Sequence, residues 1–134
     1  MNLKVIKSTV FVIWIVAITA LSVMPYSKNG AASLKLTGSG MVVHFVAYFV
    51  GTALFCWVFK KDTLFSILIP SFTIFLYSVV LEIVQLYLPY RTFNPIDIAA
   101  NASGIFFFVI CWAVFFRSGK EELGNRKELG VGSE

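Results

Sequence analysis

An all-α membrane protein, a bundle of four transmembrane helices, is the fold class that three observations predict for this chain. Of its 134 residues 58% are hydrophobic and 16% aromatic, only 13% are charged, and the mean hydropathy is +0.84. Soluble domains run nearer 45–50% apolar and about 25% charged. Four stretches, 5–24, 41–59, 64–88 and 96–116, reach the length of about 20 apolar residues needed to cross a bilayer. The Lys and Arg residues flank these stretches or sit at their ends. The length suits one domain, with a transmembrane part over 1–116 and a flexible, charged cytoplasmic tail over 117–134. The formal charge of +4 does not point to nucleic acid, because the basic residues bracket apolar segments instead of forming a patch among exposed aromatics.

The first span follows Lys4 and carries Lys7. Its basic start and its Ala20-Leu21-Ser22 exit also suit a signal peptide, but Trp14 and the long apolar core favour retention as a helix. The linker P-Y-S-K-N-G-A-A-S-L-K-L-T-G-S-G is polar and turn-rich, the composition of an external loop. Span three is the longest and holds Pro70 near its start, where a kink is expected rather than a break. Cys56 and Cys111 fall inside spans and read as small buried hydrophobes, not as a disulfide framework. The tail echoes itself as K-E-E-L-G and R-K-E-L-G, and its composition suits either disorder or a short surface helix.

Basic residues set the expected orientation. Lys4, Lys7, Lys60, Lys61, Arg117, Lys120, Arg126 and Lys127 fall on one side of the four spans, and Lys28, Lys35 and Arg91 on the other. Eight against three places both termini in the cytoplasm and turns the hairpin around Arg91 outward.

Nearly all the polar residues lodged in apolar sequence lie in or near that hairpin, and they recur at the i, i+3, i+4, i+7 spacing of one helical face. Span two offers His44, Ala47, Tyr48 and Gly51; span three Ser78, Leu81, Glu82 and Gln85; span four Asp97, Ala100, Asn101 and Gly104. With outer ends at 41, 88 and 96, their polar members share one level within about two helical turns of the outer surface. The Ala47/Gly51 and Ala100/Gly104 pairs are small-xxx-small patterns that let backbones approach, so spans two and four are expected to touch near the site.

Structural readings stand beside the functional ones. Asn94, Pro95 and Asp97 resemble a helix cap, with Phe93 and Ile98 as a hydrophobic staple. His44 suits a hydrogen-bonded structural group, Arg91 a snorkelling contact to lipid phosphates, and Gln85 and Asn101 interhelical glue. Glu82 resists this treatment. Roughly 9 Å below Leu88 at 1.5 Å per residue, it must be protonated, paired or in a watery pocket, and Arg91 is the expected partner, directly or through a ligand. His, Glu and Asp together suit several divalent ions; with one histidine and no H-E-x-x-H spacing, no metal and no other cofactor is assigned. No Ser-His-Asp arrangement, phosphate-binding glycine loop or dinucleotide fingerprint is present. The acidic residues sit towards one face rather than the midplane, which ranks proton-coupled transport third.

The series G-M-V-V-H-F-V-A-Y-F-V-G followed by L-E-I-V-Q-L-Y-L-P-Y-R-T-F-N-P-I-D-I-A-A-N-A-S-G resembles the VanZ-like family over about residues 5 to 116. These are small bacterial membrane proteins whose namesake is associated with resistance to the glycopeptide teicoplanin. The resemblance places the family's motif positions on His44, Tyr48, Glu82, Gln85, Arg91, Asp97, Asn101 and Gly104. Where relatives often carry an Asp-Lys pair shortly before the histidine, this chain has Thr37-Gly38-Ser39-Gly40, and no ligand contact from such a pair is expected. The resemblance implies a phenotype, not a reaction.

The expectation is a multi-pass protein of the bacterial cytoplasmic membrane whose outer-leaflet site binds an anionic lipid, a lipid-linked cell-wall precursor or a partner protein. His44, Tyr48, Glu82, Gln85, Arg91, Asp97 and Asn101 would form the site. The head group favoured by Arg91 beside two carboxylates bears both signs, such as a phosphate with a nearby amine or amide. The alternative is a membrane-embedded hydrolase or transferase acting on a lipid-linked phosphate, with Glu82, His44 or Asp97 as catalytic candidates.

Overall fold

The computed structural model describes residues 2–25, 39–59 and 63–128. Four helices are present: α1 Leu3–Val23, α2 Ser39–Val58, α3 Phe65–Leu86 and α4 Pro95–Glu128. No strand occurs among the described residues. Each helix contains a segment long and apolar enough to cross a membrane: Leu3–Val23, Gly40–Val58, Phe65–Leu86 and Pro95–Phe115. These agree with the four spans read from hydropathy to within two residues at each end. Helix α4 continues through residues 117–128, the helical one of the two readings that the tail's composition allowed; residues 129–134 lie outside the described residues.

Local signals account for the helix ends. Asn2 caps α1 by accepting from the Lys4 amide at 3.1 Å. At the start of α4, Asn94 Oδ1 accepts from the Ile96 amide at 3.1 Å, and Pro95 takes the first helical position, where its missing N–H costs nothing. Helix α3 runs through Pro70 as one helix. Inside the helices hydroxyls bond back to carbonyls of their own preceding turn, as Thr52 does to Tyr48 and Ser71 to Ile67, so they need no water.

The burial pattern is inverted relative to a soluble domain. Among the described residues, five hydrophobic side chains are buried (Tyr48, Ile67, Ile74, Leu81, Ile105) against seven polar ones (Lys7, Thr52, Ser71, Ser78, Glu82, Gln85, Asn101). Large apolar side chains such as Ile13, Val16, Ile69, Phe72 and Phe106 point outward instead. An exterior of this kind is what lipid solvates and water does not, the distribution of a multi-pass membrane protein.

Helices α2 and α4 form the most extensive contact in the bundle. Gly104 permits it: a Cβ there would fall on the backbone carbonyl oxygen of Phe45. Gly51, the small residue of the α2 pattern, serves another neighbour, because a Cβ at that position would meet the indole of Trp14 on α1. Trp14 in turn lies edge-on to Tyr48, 6.0 Å between centroids at 87°, and Phe11 stacks on Phe55 at 4.7 Å. Helix α1 is fastened to α3 by Tyr77, whose hydroxyl lies 2.6 Å from Thr19 Oγ1 and donates to the Ile15 carbonyl at 3.2 Å. At the end of the bundle away from the Arg91 turn, the Lys7 ammonium sits 5.0 Å from the Trp57 ring centroid, a cation–π contact that hydropathy does not register.

Candidate functional site

The bundle brings three side chains from three helices together at the end where α1 and α3 finish and α2 and α4 begin. His44 is in the second turn of α2, Glu82 in the last turns of α3 and Asp97 in the first turn of α4. One potential ligand atom from each, an imidazole nitrogen and two carboxylate oxygens, lies within 4.8 Å of the others. The expected convergence of three faces on one level is therefore found, and Tyr48, Ser78, Leu81, Gln85 and Asn101 are buried with it.

Asn101 orients the imidazole. Its Oδ1 lies 2.9 Å from His44 Nδ1. An amide oxygen can only accept, so Nδ1 is the donor and Nε2 is the ring nitrogen turned to the cluster. Nε2 is 3.8 Å from Asp97 Oδ2, a separation that permits ionic attraction but exceeds a hydrogen bond. The side chains of His44 and Asp97 keep 29% and 20% of their accessible surface, so the cluster is open on their side and closed at Glu82, which is 2% exposed.

Asp97 faces two ways. Its Oδ1 accepts from Asn94 Nδ2 at 3.2 Å, tying it into the cap of α4, while Oδ2 faces His44. Two polar atoms are left over. Glu82 Oε2 and Asn101 Nδ2 are buried and have no hydrogen-bond partner among the described residues. An unpaired buried polar atom costs about 1–3 kcal/mol, more when charged.

Arg91 differs from expectation. Its Nε donates to the Met24 carbonyl at 3.1 Å and its Nη2 to the Leu21 carbonyl, so the guanidinium caps the C-terminus of α1 and forms no ion pair with Glu82 among the described residues. Tyr90 adds a bond to the Val23 carbonyl at 3.0 Å. The last carbonyls of a helix lack intrahelical donors and carry partial negative charge, so a planar cation offering two donors in a fork satisfies them well. Sequence separation hides this contact; the only hint was that a lone arginine sat in a turn adjacent to three helix ends.

The remaining expected site residues are placed as follows. Tyr48 lies on the buried face of α2 one turn from His44, within electrostatic reach of Glu82 and Tyr77. Gln85 is buried on α3 one turn nearer the helix end than Glu82, and its membership in the site rests on that register. Asn94 and Asn101 are the second-layer residues that fix Asp97 and His44. Beside the cluster an apolar groove runs between α2 and α4, lined by Met41, Val42, Phe45, Ile96 and Ala99. Comparison with known proteins brings no match, whether with family models, curated proteins or solved structures.

Proposed function

We propose that the chain is a multi-pass protein of the bacterial cytoplasmic membrane, VanZ-like in type, whose polar cluster receives the head group of a lipid or lipid-linked cell-wall precursor at the outer leaflet. In this reading both termini are cytoplasmic and the protein alters envelope properties, including susceptibility to glycopeptides such as teicoplanin. One observation carries it: buried Glu82 Oε2 and Asn101 Nδ2 lack partners among the described residues, and a ligand offering a donor and an acceptor, as an amine or amide beside a phosphate does, would satisfy both. The apolar groove of Met41, Phe45 and Ile96 adjoins the cluster and suits an acyl chain extending from that head group. Arg91 supports the site by holding α1 against the turn.

The alternative, a hydrolase or transferase acting on a lipid-linked phosphate, draws on the proximity of His44 to Asp97 and Glu82, since an oriented imidazole beside a carboxylate is a general-base arrangement. Mass spectrometry of lipids copurified with the full chain tests the preferred reading. A phospholipid or polyprenyl-linked species should be enriched over bulk membrane lipid and depleted in Glu82→Gln; wild-type protein carrying bulk lipid alone would exclude it. The alternative requires that Glu82→Gln and His44→Gln keep the enriched lipid bound while abolishing its turnover.

A further inference from the structure

His44, Glu82 and Asp97 bring one potential ligand atom each into a single cluster. Two carboxylates and the lone pair of an imidazole converge within 4.8 Å, and the nearest guanidinium is engaged on the carbonyls of α1. Nε2 and Asp97 Oδ2 face each other at 3.8 Å, too far for a hydrogen bond. Glu82, 2% exposed, contributes an oxygen to the cluster while Oε2 is left without a partner. An anionic head group would not enter such a site unaided.

We propose that His44 Nε2, Glu82 and Asp97 bind one divalent transition-metal ion, with Zn²⁺ as the reference ion. This inference rests on reading the cluster as a ligand site, and it identifies what lets an acidic site accept an anion. Zinc bonds of about 2.0–2.2 Å to nitrogen and oxygen set ligand atoms about 3–4 Å apart, so three atoms within 4.8 Å need to close by less than about 1 Å around the ion. Charge then balances, because two carboxylates and a neutral imidazole cancel a dication. The second layer is the one that metal-binding histidines use. Asn101 takes the Nδ1 proton and fixes the tautomer, and Asn94 Nδ2 holds the other oxygen of Asp97. Three protein ligands leave a coordination position open on the exposed His44–Asp97 side. A phosphate or carboxylate oxygen of the head group fits there, which draws the anion to a positive centre that Arg91 does not supply.

The test uses the full, untagged chain, stripped with chelator in detergent and titrated with Co²⁺ alone and then Zn²⁺ alone. His44 is the only histidine, so an untagged chain has no competing imidazole. One equivalent of Co²⁺ with d–d absorption, displaced by Zn²⁺, is the expected result. Asn101→Ala should weaken Zn²⁺ by about 10- to 100-fold, the range for a lost second-layer partner, and Asp97→Asn by at least as much. Glu82→Gln replaces a buried carboxylate, one oxygen of which lacks a partner among the described residues, with a neutral amide of the same shape; it should keep the helix content and elution volume of the wild type yet lose the ion. Any of three results overturns the inference: folded wild-type chain that binds no stoichiometric metal, Glu82→Gln with wild-type affinity, or a thiolate-to-cobalt band that moves the ion to Cys56 or Cys111. Metal binding without lipid enrichment would refute the lipid reading and leave the ion site standing, and enrichment without metal binding would do the reverse.

Discussion

His44 Nδ1 and Asn101 Oδ1 meet at 2.9 Å across the α2–α4 interface, 57 residues apart in sequence. The bond joins the two most intimately packed helices at the level of the cluster, and it decides which ring nitrogen faces Glu82 and Asp97. Interhelical hydrogen bonds of this kind couple by about 0.6 kcal/mol on average and up to about 1.7. A double-mutant cycle of His44→Ala and Asn101→Ala, read from unfolding in detergent, should return a coupling energy in that range, and a value of zero would mean that the two side chains do not bond.

Gly104 predicts a contrast with Gly40. Gly104→Ala drives a methyl into the Phe45 carbonyl, which is backbone and cannot rotate away, so α2 and α4 must separate. Overpacking of this kind costs about 1–3 kcal/mol. Gly40→Ala meets nothing within 4 Å and should gain up to about 1 kcal/mol from helix propensity. Thermal unfolding of the two variants in the same detergent should move in opposite directions.

Arg91 should behave as a helix-terminal clamp. Arg91→Met removes donors from the carbonyls of Leu21 and Met24, and hydrogen exchange at the end of α1 should accelerate. Arg91→Lys keeps the charge without the fork and should fall between the two. Because the guanidinium bonds to α1 and only acts through space on Glu82, combining Arg91→Met with Glu82→Gln should show a weak coupling, smaller than that of a direct ion pair. A larger coupling would restore the Glu82–Arg91 pair expected from sequence.

Orientation is tested by cysteine labelling in a Cys56→Ala/Cys111→Ala background. Membrane-impermeant reagent should reach cysteines placed at Ser33 and Asn94 in intact cells and at Gly130 only after permeabilisation. The reverse pattern would turn the His44 cluster to the cytoplasmic side and exclude an outer-leaflet ligand.

Sequence alone determined the four apolar spans, their limits to within two residues, and the face that the second, third and fourth turn inward. Those are local properties: hydropathy sums over about 20 neighbouring residues, and the 3.6-residue repeat writes a helical face into consecutive positions. Tyr48, Ser78, Leu81, Glu82, Gln85 and Asn101 were legible for that reason, and all are buried. Tertiary structure alone decided which groups meet, because each helix can rotate and slide against its neighbours without changing its own pattern. Thus Gly51 receives Trp14 of α1 while Gly104 receives Phe45 of α2, though both belong to the same kind of motif. Arg91, nine positions after Glu82, turns instead to carbonyls some 70 residues away. The His44, Glu82 and Asp97 set follows no linear ligand spacing, since each residue comes from a different helix. That Glu82 Oε2 ends without a partner among the described residues is a property of the assembled bundle, since the rotation and register of the neighbouring helices decide which donors reach it.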